Sequence, residues 1–299
     1  MITDTGRDIV DEIKLRAMAK INLALDVLRR RDDGYHEVRM VMQTVNIYDE
    51  LAFEKTDDGK IVITTNAEEL PVNEDNLIYK SARLLLDEYG IDKGLKVSLK
   101  KNIPMAAGMA GGSTDAACTF KAVNELFELN LSKKELMERA VRIGADVPYC
   151  ILGGTALSEG IGEVLTQIKS APECSLLVAK PPIDVSTKFV YQNLKLNDDT
   201  VHPDIDAMLA AINDGDIEKV SKNLGNVLES VTVPNYPVIS DIKKFMTDNG
   251  ALGALMSGSG PTVFGIFNDK DKAKECYKRL NAAKLAQDVF LTDFYTPED

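Results

Sequence analysis

The chain has 299 residues, 44% of them hydrophobic, which is enough to build a substantial core in one large or two medium domains. Its formal net charge of -12 argues against a nucleic-acid partner, which needs clustered Lys and Arg, so any anionic ligand has to meet a local positive site. Cys118, Cys150, Cys174 and Cys276 are widely spaced free-thiol candidates with no CxxC pair; the apolar runs are short, and Met1 to Asp11 is acidic without an apolar core, so neither a membrane span nor a signal peptide is expected and a cytoplasmic location is the default.

From Lys14 to Val27 every odd position is apolar (Leu15, Ala17, Ala19, Ile21, Leu23, Leu25, Val27), the period of a half-buried strand, which places Lys20 and Asn22 on one face. Val38 to Lys55 and Lys60 to Thr65 read as further strands, with Asp57-Asp58-Gly59 as the turn between them, so the protein is expected to begin as an antiparallel sheet. Helical spacing follows over Asn76 to Tyr89, stopped by Gly90, and again after Thr114, where Ala117, Phe120, Val123 and Phe127 form an apolar stripe. Ser132 and Glu135 form a capping box for a helix over Lys133 to Ile143 that Gly144 ends, leaving Asp146 in a short loop just beyond it. Strands are expected at Leu95 to Lys100, Thr155 to Ser158 and Ser175 to Ala179, and Asp204 to Ser230 reads as helical. The last portion reads as helix Pro237 to Asn249, strand Leu252 to Met256, loop Ser257 to Pro261, strand Thr262 to Phe267 and helix Lys270 to Asn281. No internal repeat or long linker interrupts this order.

The densest chemical signal is Pro104, Met105, Ala106, Ala107, Gly108, Met109, Ala110, Gly111, Gly112, Ser113 and Thr114, a run of small residues between a strand and a helix. Small side chains let backbone amides approach a ligand, and the helix start adds unpaired N–H groups and a positive dipole, so the segment suits a polyphosphate. The hydroxyl of Ser113 or Thr114 is chemically suited to a Mg2+ ion carried by a nucleotide. No Lys follows the glycines, which excludes a Walker A loop, and Gly258-Ser259-Gly260 does not complete a dinucleotide fingerprint, which excludes a nucleotide-dependent dehydrogenase.

Two ordered segments resemble signatures of the GHMP kinases: the small-residue loop is similar to their second and Leu255 to Phe264 to their third. Ala19-Lys20-Ile21-Asn22-Leu23, Asp33-Gly34-Tyr35-His36-Glu37 and Gly144-Ala145-Asp146-Val147-Pro148 look like the branch acting on a cytidyl-diphospho-methylerythritol. The similarity spans almost the whole chain. It departs from the family at Ala106, Ala107 and Ala110, where glycine is common, and at Met109, where leucine is usual. Between about Val201 and Val233 it offers no signature.

The resemblance implies an α+β, two-lobed fold: residues 1–168 as an ATP-binding lobe like domain 2 of ribosomal protein S5, residues 169–299 as a ferredoxin-like α/β lobe. It implies ATP and Mg2+ as cofactors, Ser113 as metal ligand, the loop from Pro104 to Thr114 as ATP site, and phosphoryl transfer to a small-molecule alcohol in the non-mevalonate route to isopentenyl diphosphate. It places no membrane or nucleic acid among the partners and leaves monomer and homodimer open. Lys20 and Asp146 match the catalytic pair; without the family they would read as a solvated strand lysine and a loop aspartate. By resemblance His36 would bond a cytosine edge, Tyr35 would stack on the base, Tyr191 would face its other side and Asn22 would orient the alcohol, although Tyr191 fits a helix core position equally well. Lys14 and His202 read as surface residues. Other GHMP substrates (homoserine, mevalonate, a sugar) and a non-catalytic sensor remain the competing readings.

Overall fold

The computed structural model describes residues 11 to 297; the reading of Met1 to Val10 lies outside these residues. Two long strands, β1 (Glu12–Arg30) and β2 (His36–Thr56), pair antiparallel from Glu12↔Glu54 to Arg30↔His36 around the turn at Asp32 to Tyr35. The pairing breaks register at Met18/Lys20, Asn22/Ala24 and Val27/Arg29. Such irregularities bend a strand and re-aim its side chains. The alternation read from the sequence therefore holds only at the start of β1: from Ala19 to Val27 both faces are buried.

The turn at Asp57 to Gly59 does not close a hairpin. β3 (Ile61–Thr65) pairs parallel with β4 (Gly94–Lys100), and β4 inserts between β3 and β2, antiparallel to β2. The long connection carries α1 (Leu77–Glu88), whose Asn76 cap accepts from the Ile78 amide, a cap worth about 1 kcal/mol. α2 (Gly111–Leu126) packs on the same face, starting three residues before the expected Thr114. α3 (Lys133–Ala140) has the expected capping box, Ser132 accepting from the Glu135 amide and Glu135 from the Ser132 amide. Beyond it Asp146 begins a helix the sequence did not signal, α4 (Val147–Leu152). β5 (Thr155–Glu159) pairs with β2 and with β6 (Val164–Gln167) to complete this side of the sheet. Phe53, Ile63, Val97, Leu99, Phe120 and Val123 fill the space beneath the helices, each such burial contributing roughly 1.5–3 kcal/mol.

The chain crosses to a second sheet between Gln167 and Ser175, where β7 (Ser175–Lys180) opens. Next come α5 (Thr187–Asn193), α6 (Ile205–Asp214), α7 (Ile217–Lys222), the two-residue β8 (Gly225–Asn226), α8 (Glu229–Asn235) and α9 (Val238–Asp248). β9 (Gly253–Met256), β10 (Val263–Phe267), α10 (Lys270–Ala283) and β11 (Asp288–Asp293) follow. The sheet runs β11-β7-β10-β9, all antiparallel. With the first strand central and the last beside it, this is the ferredoxin-like order expected for this lobe. β8 leaves it and adds to β1 in parallel. A shared core joins the two sheets: Ala19, Ile21 and Leu23 of β1 meet Val178, Leu255, Phe264 and Ile266, with Met208 and Ile212 of α6 alongside. All four cysteines are free; Cys118 and Cys276 are buried, while Cys150 and Cys174 are partly so.

Candidate active site

The loop from Pro104 to Ala110, the irregular middle of β1, the start of α4 and the turn Ser257 to Gly260 converge on one cleft of about 1380 Å³. Gly108 can take its place only because it lacks a side chain: its φ is +70°, and a Cβ there would sit 2.3 Å from the Ser257 carbonyl oxygen. That contact is reinforced by Ser257 Oγ, which donates to the Gly108 carbonyl at 3.0 Å. Ala106 (φ 49°) and Ala110 (φ 58°) hold the left-handed conformation despite their methyl groups, so the alanine substitutions preserve glycine-like geometry at a strain cost.

Most of the loop lines the cleft: Pro104, Met105, Ala106, Ala107, Gly108, Ala110, Gly111, Gly112 and Ser113. Met109 and Thr114 do not. The Met109 side chain is buried in the shared core, and its carbonyl accepts from the Lys20 amide at 3.1 Å. Thr114 is buried and its hydroxyl donates to the Met18 carbonyl at 2.8 Å, which corrects the suggestion that it ligates a metal. The Ser113 hydroxyl faces the cleft with no hydrogen-bond partner among the described residues.

The register break at Met18/Lys20 turns Lys20 inward, so that only 5% of it is exposed. Its ammonium donates to Asn22 Oδ1 at 2.9 Å and lies 3.7 Å from Asp146 Oδ2. The shared face read from the alternation is thus a direct bond. Asn22 donates in turn to Met40 Sδ at 3.4 Å and is fully buried. Asp146 is held by the first turn of α4, its side chain 36% exposed at the cleft wall.

At the far end Tyr35 and His36 follow the turn that joins β1 to β2, and Tyr191 faces them from α5. The His36 and Tyr191 rings touch, centroids 5.0 Å apart and tilted by 40°. Tyr35 is 61% exposed, so its ring is free to cover a planar ligand. Tyr191 satisfies both expectations, packing partly against the core while lining the cleft. Burial, assisted by the Arg30 charge, holds His36 below the usual imidazole range, which favours its neutral form.

Several supporting residues carried no sequence signal. Asn226 on β8 donates to the carbonyls of Met256 and Gly258, both at 2.8 Å, and Thr232 donates to that of Ser259 at 3.2 Å. Both come from the stretch without a signature and brace the turn that packs on Gly108. Beneath the loop Lys101 donates to Asp115 Oδ2 at 2.8 Å and to Asp49, and Asp49 Oδ1 accepts the amides of Asn102 at 2.6 Å and Ile103 at 2.8 Å. One ammonium therefore faces two buried carboxylates. Asp115 has the weaker set of partners, one oxygen being unbonded, and burial pushes its carboxyl up to about 8. His202 is an exposed loop residue, as read, and its Nδ1 lies 2.7 Å from Asp26 Oδ1 on β1, tying the start of the helical segment to the sheet. Lys14 meets only Glu12, as a surface charge.

Two family profiles match the chain, the GHMP kinases N terminal domain over residues 76–154 and the GHMP kinases C terminal domain over residues 208–286. A crystal structure of 4-(cytidine 5'-diphospho)-2C-methyl-D-erythritol kinase superposes with a TM-score of 0.81 at 30% identity, covering 95% of this chain and 100% of that one. A homoserine kinase from Cytophaga hutchinsonii superposes at 0.76 over 98% of this chain and 96% of its own, but at 21% identity the likeness is one of fold. Among sequence relatives, the 4-diphosphocytidyl-2-C-methyl-D-erythritol kinase of Caldicellulosiruptor bescii is 50% identical over 94% of this chain and 97% of its own length. That of Lachnospira eligens is 53% identical over 96% of this chain and all of its own. The chain belongs to the GHMP kinases and, within them, to the family of 4-diphosphocytidyl-2-C-methyl-D-erythritol kinases.

Proposed function

We propose that the protein transfers the γ-phosphoryl group of ATP to the 2-hydroxyl of 4-diphosphocytidyl-2-C-methyl-D-erythritol, in the non-mevalonate route to isopentenyl diphosphate. The observation that carries this reading is a single cleft holding a phosphate-type loop, a Lys20–Asp146 pair and a polar aromatic cluster at His36 and Tyr191. A volume of about 1380 Å³ accommodates two nucleotide-sized ligands end to end. Homoserine and mevalonate would leave the aromatic end without a purpose, and a non-catalytic sensor would need neither Lys20 nor Asp146.

In this reading the amides at the start of α2 receive the ATP phosphates, since the first amides of a helix have no internal partner and face its positive end. Asp146 accepts the proton of the attacking hydroxyl. As the new oxygen–phosphorus bond forms, the bond from the γ-phosphorus to the bridging oxygen breaks, and ADP leaves with that electron pair. Lys20, held by Asn22, offsets the negative charge that develops on the transferring group. Cytosine sits between Tyr35 and Tyr191 with its edge against His36. No group of three or more His, Cys, Asp or Glu suited to a metal occurs among the described residues, so a metal would arrive with the nucleotide. The unbonded Ser113 hydroxyl would hold a Mg2+ brought in with the nucleotide, and the ion would neutralise phosphate charge there. We also divide the lobes at 168/169, in the crossing between β6 and β7; no helix among the described residues is long and apolar enough to cross a membrane.

The test is ADP release from Mg-ATP with the cytidyl compound, homoserine, mevalonate and galactose offered separately. Turnover confined to the cytidyl compound is expected, and turnover with another alcohol would overturn the assignment of Tyr35 and His36. Asp146→Asn should lower turnover by about 10³-fold while ATP still binds, as loss of a general base does. An unimpaired variant would remove Asp146 from the chemistry.

A further inference from the structure

Five cationic side chains line the cleft: Lys20, Arg29, Arg30, Lys101 and Lys188. Three have carboxylate partners, Lys20 with Asp146, Arg29 with Glu37 at 2.5 Å, and Lys101 with Asp49 and Asp115. Arg30 and Lys188 have no carboxylate within 4 Å among the described residues. The chain as a whole is acidic, with 47 acidic against 35 basic residues. Against that excess, Asp146 is the only acidic residue lining the cleft among the described residues.

Their positions are specific. Arg30 lies directly opposite His36 in the β1–β2 register, and its charge reaches the imidazole. Lys188 lies one helical turn before Tyr191 on α5, so both side chains share a face. Thr187 Oγ1 and Ser259 Oγ, 2.8 Å apart, pin that turn of α5 to the glycine turn. The two aromatic rings that mark the base end are thus each accompanied by an unpaired cation, one on the sheet and one on the opposing helix.

We propose that Arg30 and Lys188 hold the diphosphate of the acceptor substrate and make this site select a cytidine diphosphate ester over an uncharged cytidine. This rests on the cytidyl reading above. The diphosphate joins the base to the alcohol, so it leaves the base end beside the rings that these two cations accompany. Both are exposed at the rim, so each contributes as a screened charge contact, about five-fold in affinity towards a doubly charged group.

Equilibrium binding of cytidine and of CDP to the full-length protein tests this, with wild type, Lys188→Ala, Arg30→Ala and the double variant compared at low and moderate salt. Wild type is expected to bind CDP more tightly than cytidine. Each single variant should lose about five-fold for CDP and nothing for cytidine, and the double variant should bring the two ligands close together and flatten the salt dependence. Retained cytidine binding reports that each variant is folded. A CDP-to-cytidine ratio unchanged in the double variant overturns the diphosphate role while leaving the base site intact. Absence of binding by both ligands to wild type would overturn the cytidyl reading and this proposal with it.

Discussion

Asp115→Asn isolates the proton that the buried Lys101 cluster demands. One ammonium cannot balance two carboxylates, and Asp49, which accepts two backbone amides as well as Lys101, is the better-satisfied anion. Asp115 has one oxygen unbonded and its carboxyl is raised to about 8, against about 3.9 for an unfolded aspartate. Because the folded pKa is the higher, the folded chain binds more protons than the unfolded chain between those values, and this group lowers stability as pH rises. The slope is about 1.4 kcal/mol per pH unit, so raising the pH from 5 to 7 costs about 3 kcal/mol. Asparagine is neutral at every pH and abolishes that slope. Urea unfolding of both proteins at pH 5, 6 and 7 should show the variant gaining on wild type by about 1.4 kcal/mol per unit. A difference that does not change with pH would mean that Asp115 is ionised throughout and that the charge balance drawn here is wrong.

Ala106→Gly and Ala110→Gly should each raise unfolding stability by about 0.5–1 kcal/mol, because relief of a left-handed alanine outweighs the added freedom of the unfolded chain; denaturant midpoints below wild type would contradict the strain. Since His36 is held below the usual imidazole range, the KM for the cytidyl substrate should be flat above pH 6.5 and rise only in more acidic solution, where the ring gains a proton and loses its acceptor nitrogen. His36→Gln should remove that acid limb, and a limb that survives would assign it to another group.

What could be read from the sequence was what local chemistry encodes. The alternation along β1 and the box at Ser132 and Glu135 each specify an element within a few residues, and the small-residue loop pointed to a wall of the cleft. The turn at Asp57 to Gly59 misled because a tight turn says nothing about which strand will pair, and β4, some thirty residues later, took the place beside β2. α4 is six residues opened by a proline, too short for helical periodicity, and β6 is largely exposed, without alternation to detect. Asp49 lies 52 positions from Lys101 and Asp115 lies 14 from it, and Asn226 bonds Met256, 30 residues away, at the edge of the glycine turn. Such partners are brought together only by the completed fold.

β8 is only two residues long, yet it determines when the protein becomes whole. Ala24 and Leu25 of β1 wait for Gly225 and Asn226 to pair with them, and the small-residue loop waits for Ser257 to seat on Gly108. A ribosome adding roughly 5–20 residues each second would therefore carry a nearly finished N-terminal sheet for several seconds without that pairing and with its small-residue loop unsupported. Pairings this distant in sequence also predict slow closure after release. Nascent chains of this protein should engage nucleotide late, in one step, as the glycine turn arrives.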